Sequence, residues 1–311
     1  GGHALAMSIS DRYTNEEIFL AKKFGQEYLK TNNITSFNRN YGGLVDVLGY
    51  DASTNTFEEL LSTDTILLIG SDIMQNHTIA ALKLKEAVEN GANLIVINDF
   101  DSQVDEWTSR KVCPENNVNI LKEILKALID LGAEPKNAKG FEESKASLDY
   151  ILPSEEAKEI AETYLNSKKA MIVFDQNYLS IDGARLIGNI ALVANHIGRA
   201  RSGIIQLKPK NNSQGLADLG VDKDNKEISK LIEDKVIKGM IIFGEDVADV
   251  NLDHIDFLVV QDLYMTETAK KADIVLPAVS YAESQGRYTN SERRIQRVRS
   301  AIPSLSGKEN W

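Results

Sequence analysis

Short, uninterrupted apolar runs recur along this chain, each separated from the next by enough residues for a helix. Thr65-Ile66-Leu67-Leu68-Ile69-Gly70, Leu94-Ile95-Val96-Ile97, Ala170-Met171-Ile172-Val173-Phe174, Met240-Ile241-Ile242-Phe243-Gly244, Phe257-Leu258-Val259-Val260 and Ile274-Val275-Leu276 are of this kind. Runs without polar alternation belong to strands covered on both faces, and parallel strands need a long crossover between them. Helical patterns fill the gaps. One begins at Thr14-Asn15-Glu16-Glu17 and continues with Ile18, Phe19, Ala21, Phe24 and Tyr28 as its apolar positions. Others carry Ile79, Leu82, Leu84, Ala87 and Val88, or run over 118–131 and 181–196. The pattern predicts an α/β fold of doubly wound parallel sheets joined by right-handed crossovers. At 311 residues the chain is long for one core, so two domains are expected. The stretch from Pro135 to Lys158 is weakly patterned, and no fixed-period repeat is visible.

Charge and cysteine usage exclude several classes. A formal charge of −11 argues against a nucleic-acid partner, and no apolar run approaches the ~20 residues of a membrane span. Cys113 is the only cysteine, so a disulfide within the chain is ruled out. So is an iron–sulfur cluster in this segment, which takes about four thiolates. Cys113 is expected to be a buried, inert thiol. Gly1-Gly2-His3-Ala4-Leu5-Ala6 has neither the charged nor the apolar region of a signal peptide and reads as a non-native leader, which points to a cytoplasmic protein.

The residues that can carry chemistry gather where the apolar runs end. Open α/β sheets place ligands beyond strand C-termini, where glycine lets backbone N–H groups approach a phosphate. Gly70-Ser71-Asp72 closes one strand, and Asn98-Asp99 closes the next, where an acidic residue can read a ribose hydroxyl. Arg199, Arg201, Lys208 and Lys210 make a basic island in an acidic chain, followed by Asn211-Asn212-Ser213-Gln214-Gly215, whose amides can donate to a ligand. Gly244-Glu245 and Gln261-Asp262 end two further strands. Asp262 and Asp273 can accept hydrogen bonds from a base or ribose, or cap a helix, and Thr266-Glu267-Thr268 has the composition of a helix start. His3, His77, His196 and His254 are too scattered to suggest a metal site.

The segment Ala272-Asp273-Ile274-Val275-Leu276-Pro277-Ala278, with Glu283, Gly286, Thr289-Asn290, Glu292, Arg294 and Gln296, resembles the molybdopterin oxidoreductase family. That family includes formate dehydrogenases and the large iron–sulfur subunit of respiratory complex I, the NADH dehydrogenase. Gly70-Ser71-Asp72, Asn195-His196-Ile197-Gly198-Arg199, Asn211-Asn212-Ser213-Gln214-Gly215, Gly244-Glu245-Asp246 and Gln261-Asp262 through Thr266-Glu267-Thr268 follow in family order. The resemblance implies two Rossmann-like domains, one inserted into the other: 37–179 within 1–36 plus 180–311. It implies molybdopterin guanine dinucleotide as cofactor, held by these residues together with Asn98 and Asp99. It implies partners in other domains of the same polypeptide, an iron–sulfur part and a C-terminal barrel, and in redox partner subunits. Ile97-Asn98-Asp99-Phe100 departs from the family's I-D-P-R.

The family's metal-ligating cysteine is missing. Thr31-Asn32-Asn33-Ile34 is present and Arg39 matches an arginine of its C-x-R-x-C pattern, but the cysteine positions fall near Phe37 and at Tyr41. A phenol is far harder than a thiolate toward a soft metal. The expected function is therefore a central segment of an electron-transferring subunit with a degenerate metal site. The rivals are an active molybdenum or tungsten formate dehydrogenase domain and a nucleotide-binding scaffold without redox role.

Overall fold

The computed structural model describes residues 1–37, 42–136, 139–221 and 223–305. Its strands, in chain order, are β1 (Leu5–Ile9), β2 (Ile34–Thr35), β3 (Thr65–Ile69), β4 (Asn93–Ile97), β5 (Arg110–Val112), β6 (Ala170–Asp175), β7 (Gly203–Leu207), β8 (Gly239–Phe243), β9 (Phe257–Asp262), β10 (Ile274–Pro277), β11 (Gly286–Thr289) and β12 (Ile295–Val298). Ten of them form two five-stranded parallel sheets, and β11 and β12 form an antiparallel hairpin. The chain divides into two compact units, Gly1–Tyr41 with Lys210–Trp311, and Gly42–Pro209.

The continuous unit, Gly42–Pro209, holds the sheet ordered β5-β4-β3-β6-β7. The apolar run of β3 is buried throughout because its two faces meet different cores. Leu67 and Ile69 share a core with Leu121 and Ile124 of the helix Asn117–Asp130, while Ile66 and Leu68 share another with Ala81 and Leu84 of the helix Thr78–Glu89. Strand order reverses between β3 and β6, which makes their C-terminal ends the crevice of this sheet. Because β7 pairs with β6 along its length, the unit runs to Pro209 rather than to the Leu179 read from sequence. The weakly patterned stretch after Pro135 contains the helix Phe141–Ala146 and the start of Glu155–Asn166. Cys113, just past β5, is exposed, against the expectation of a buried thiol.

The discontinuous unit holds the sheet β10-β9-β8-β1-β2, whose order reverses between β1 and β8. Leu5 and Ala6 are therefore not a leader: they open β1, where Ala6 pairs with Met240 and Met7 with Ile241. Met7 and Ile9 are fully buried. The helix Asn15–Glu27 starts as the sequence indicates, with Thr14 and Glu17 forming a reciprocal capping box. Its apolar stripe is not the one expected: Ile18 is buried, whereas Phe19, Phe24 and Tyr28 are exposed. The run Ile274-Val275-Leu276 is likewise an exposed edge strand, which among the described residues pairs only with β9. Its neighbour on the other side would have been needed to bury it.

Deleting residues 1–6 removes the first pairings of a central strand. The expected cost is roughly that of a core large-to-small change, about 2–5 kcal/mol. Amide exchange of Met240 and Ile241 should lose protection. Unchanged exchange would restore the leader reading.

Candidate functional site

The reversal between β1 and β8 opens a cavity of about 670 Å³ within the discontinuous unit. Its floor comes from residues just beyond three strand ends: Arg12 and Tyr13 after β1, Gly244 after β8, and Asp262 ending β9. Tyr264, Tyr281 and Tyr288 supply aromatic walls, with Asn211 and Ser284 at the lining. Gly244 takes φ +68°, and a Cβ there would stand 3.0 Å from the Tyr13 ring, so glycine is required for both backbone and space. Tyr13 is buried and donates its hydroxyl to Gln261 Oε1 at 3.0 Å. Burial first, then the charges of Glu17, Asp262 and Glu245, push its phenol far above the usual tyrosine range. Tyr288 is also raised, mainly by burial. Arg12 is the cation of this lining, and it has no ion pair among the described residues.

The predicted residues divide into three groups here. Asn211, Gly244 and Asp262 line the cavity. Asn212, Gln214, Gly215, Glu245 and Gln261 lie behind it, in the scaffold. Asn212 is fully buried; its amide donates to Tyr13 O at 2.6 Å and accepts from Thr289 N at 2.7 Å, tying three segments together. A Cβ on Gly215 would come within 2.1 Å of Asn15 Oδ1, so this glycine admits a neighbouring side chain rather than a ligand. Gln214 donates to Asp218 at 3.0 Å. Glu245 accepts from the Ser8 and Ser36 hydroxyls and from Phe37 N, and burial raises its carboxyl above the usual range against those hydrogen bonds.

The third group stands elsewhere. Thr266 caps the short helix Glu267–Lys270, Glu267 pairs with Lys270, and Thr268 donates to Asp246 at 2.6 Å. Asp273 accepts from Leu258 N at 2.8 Å, beside the start of β9 and so at the opposite end of the sheet from Asp262.

In the continuous unit, Gly70 at φ +54° packs against Tyr178 and Leu179, so the reversal between β3 and β6 is narrow at this point. Asn98 is fully buried and clasps Ser71, accepting from its N–H at 3.0 Å and donating to its carbonyl at 3.1 Å. The Ser71 hydroxyl is buried with no partner among the described residues. Asp72 precedes the four-residue helix Ile73–Asn76, and Asp99 is exposed. The basic island does not exist as a patch. Arg199 reaches Lys168 O near the start of β6, while Lys208, beyond the end of β7, is buried in an ion pair with Asp51 at 2.9 Å. Arg39 and Tyr41 lie outside the described residues.

Sequence reasoning missed Arg12, Tyr13, Tyr264, Tyr281, Ser284 and Tyr288, because β1 was hidden in the supposed leader. It also missed the 2.9 Å contact of His77 Nε2 with the buried Asp175 at the end of β6. A readable signal was present in Phe174-Asp175-Gln176, which closes an apolar run. Among the described residues no group of three or more His, Cys, Asp and Glu is placed to hold a metal ion, and no helix is long and apolar enough to cross a membrane.

The molybdopterin oxidoreductase profile matches residues 1–311, and the chain belongs to that family. It is 30% identical to F420-dependent formate dehydrogenase 2 subunit alpha of Methanococcus maripaludis, over 94% of this chain and 53% of that protein. It is 30% identical to F420-dependent formate dehydrogenase subunit alpha of Methanocaldococcus jannaschii, over 97% and 54%, and 27% identical to putative formate dehydrogenase YrhE of Bacillus subtilis, over 97% and 38%. The chain thus spans about half the length, or less, of these curated relatives. Among solved structures, acetylene hydratase from Pelobacter acetylenicus superposes with a TM-score of 0.75 at 15% identity, over 99% of this chain and 54% of that one, which shows a shared fold. The family implies a molybdopterin cofactor, and the cavity has the size and the aromatic lining to take part of such a group.

Glu245 yields a pH test. A carboxyl raised in the folded state favours folding while protonated, and that contribution is lost as pH rises through the folded value. Glu245→Gln keeps an acceptor without the buried charge. Its stability relative to wild type should therefore increase with pH above 4.5 and the difference should shrink on acidification, by thermal unfolding at several pH values. A gap independent of pH would show that Glu245 does not titrate as described.

Proposed function

We propose that this chain is the central, nucleotide-holding segment of a subunit in a cytoplasmic redox complex of the formate dehydrogenase or NADH dehydrogenase type, with a degenerate metal site. In this reading each unit receives the guanosine end of one of two molybdopterin guanine dinucleotides at its own strand-order reversal. The observation that carries it is the 670 Å³ cavity, which opens where Asn211, Gly244 and Asp262 of the family pattern meet Arg12. The tyrosine rings would flank a planar base, the Asp262 carboxylate would accept from its N–H edge, and Arg12 would offset phosphate charge. The first turn of the helix Asn15–Glu27 already carries Glu16 and Glu17, so its positive end is less able to serve that anion. In the other unit Gly70, Ser71 and Asp99 would meet the nucleotide. A bound metallopterin with an intact metal would supply two-electron redox chemistry, the part that this reading takes as lost. The further polypeptide of the longer relatives and their partner subunits would complete the electron path.

Support for a degenerate metal site comes from the sequence: Phe37 to Gly42 contains no cysteine, and the chain's one thiol, Cys113, is exposed beyond β5 in the other unit's sheet. The test is formate-dependent viologen reduction by the full-length protein, wild type against Tyr41→Cys. Both should remain at background, because Asn98 and Phe100 also depart from the family pattern. Robust molybdenum-dependent turnover in the wild type would refute the degenerate site, and turnover in the variant alone would show that one ligand was all it lacked.

A further inference from the structure

We infer that β12, the outer strand of the hairpin, is a docking edge for an extended acidic segment of a partner protein. That segment adds a third strand and sets carboxylates two residues apart on Arg297 and Arg299. None of the residues involved lines the cavity, so a failure here would leave the nucleotide-holding reading standing. β11 packs against the helices Asn15–Glu27 and Ser213–Asp218. Among the described residues β12 pairs only with β11, and Ile295, Gln296 and Arg297 are exposed. An unpaired ladder edge is a template for a further strand, and a hairpin of two strands gains stability from a third.

The charges say what that strand carries. Five of the chain's eleven arginines fall between 287 and 299, a stretch without lysine, although the net charge is −11. Three have carboxylates of their own: Arg287 with Glu16 at 2.5 Å, Arg293 with Asp218 at 3.5 Å and Arg294 with Glu292 at 3.2 Å. Arg297 and Arg299 are exposed and have no ion pair among the described residues. The register sets Arg297 directly opposite Arg287, a like-charge pair that costs the hairpin stability, and Ile295 shares their face at 64% exposure. Guanidinium forks grip carboxylates bidentately, and arginine is the cation enriched in protein interfaces while lysine is depleted. Strand residues two apart face the same way. A segment with an acidic residue at every second position therefore meets Arg297 and Arg299 while its backbone takes up the open ladder. A second copy of β12 would bring arginine against arginine, so the same charges select against self-pairing.

The experiment is fluorescence anisotropy of the full chain at low ionic strength with three labelled probes. They are a Glu-Val-Glu-Val-Glu-Val peptide, a Glu-Glu-Glu-Val-Val-Val peptide of the same composition, and a short oligothymidylate. The alternating peptide is expected to bind the wild type most tightly and to slow amide exchange across Ile295–Val298. Arg297→Glu combined with Arg299→Glu should weaken it roughly tenfold or more, because like charges would then face each other across the contact. Lys158→Glu combined with Lys168→Glu, an equal charge change on exposed residues of the other unit, should leave it within about twofold. Should the arginine reversal misfold, Arg297→Gln with Arg299→Gln makes the same comparison. A wild type that does not bind the alternating peptide, or binds the block peptide or the oligothymidylate as tightly, would overturn the docking edge. So would equal losses in the arginine and lysine variants, or binding that leaves exchange of β12 unchanged.

Discussion

Everything in the discontinuous unit depends on β1 lying between β2 and β8. Two pairings meet there, one made within the first 35 residues and one that waits until residue 239 has joined the sheet. Closing so long a loop costs entropy, but the cost grows only logarithmically with length. A compact unit formed by Gly42–Pro209 also removes most of the intervening chain from that count. Once β1 is seated, right-handed crossovers leave its C-terminal end diverging from that of β8, and Arg12, Tyr13 and Gly244 are fixed around the gap. The cavity is thus a product of topology before it is a product of any side chain.

Polar groups behind the cavity hold this arrangement at a cost. Asn212 joins the loop after β1 to the hairpin strand β11, and Glu245 draws Ser8, Ser36 and Phe37 toward the end of β8. In the other sheet Lys208 and Asp51 do similar work below β7. Buried charges are poor sources of net stability, since desolvation consumes most of the attraction. Their effect is to make one arrangement of loops far better than its neighbours, because a wrong one leaves a charge without its donors.

Much of this was legible in the sequence, because strand runs with two buried faces leave a strong mark. The runs at 65–69, 94–97, 170–174, 240–243 and 257–260 lie within strands of the two sheets. Less visible was which end of a strand a polar residue joins. Asp273 and Arg199 sit close in sequence to strands, yet precede them, and so stand at the far edge from Asp262 and Gly70. Nor does a motif say whether an amide faces a ligand or a neighbouring loop: Asn211 lines the cavity and Asn212, one residue on, is fully spent inside. The leader reading of residues 1–6 failed because Leu-Ala-Met-Ser-Ile is short and includes a serine, and a central position in a sheet is decided by partners distant in sequence.

Among the described residues β10 pairs on one side alone, which has a consequence for how this chain behaves at high concentration. An apolar parallel strand with one unpaired side is a template on which another chain can add a strand, the first step of uncontrolled association. Here Lys270, Lys271 and Asp273 crowd its entry, and Pro277 at its exit withholds a backbone donor. Those four residues leave only a short stretch of ladder open to a stranger, which keeps an otherwise adhesive border of the sheet from propagating into fibres.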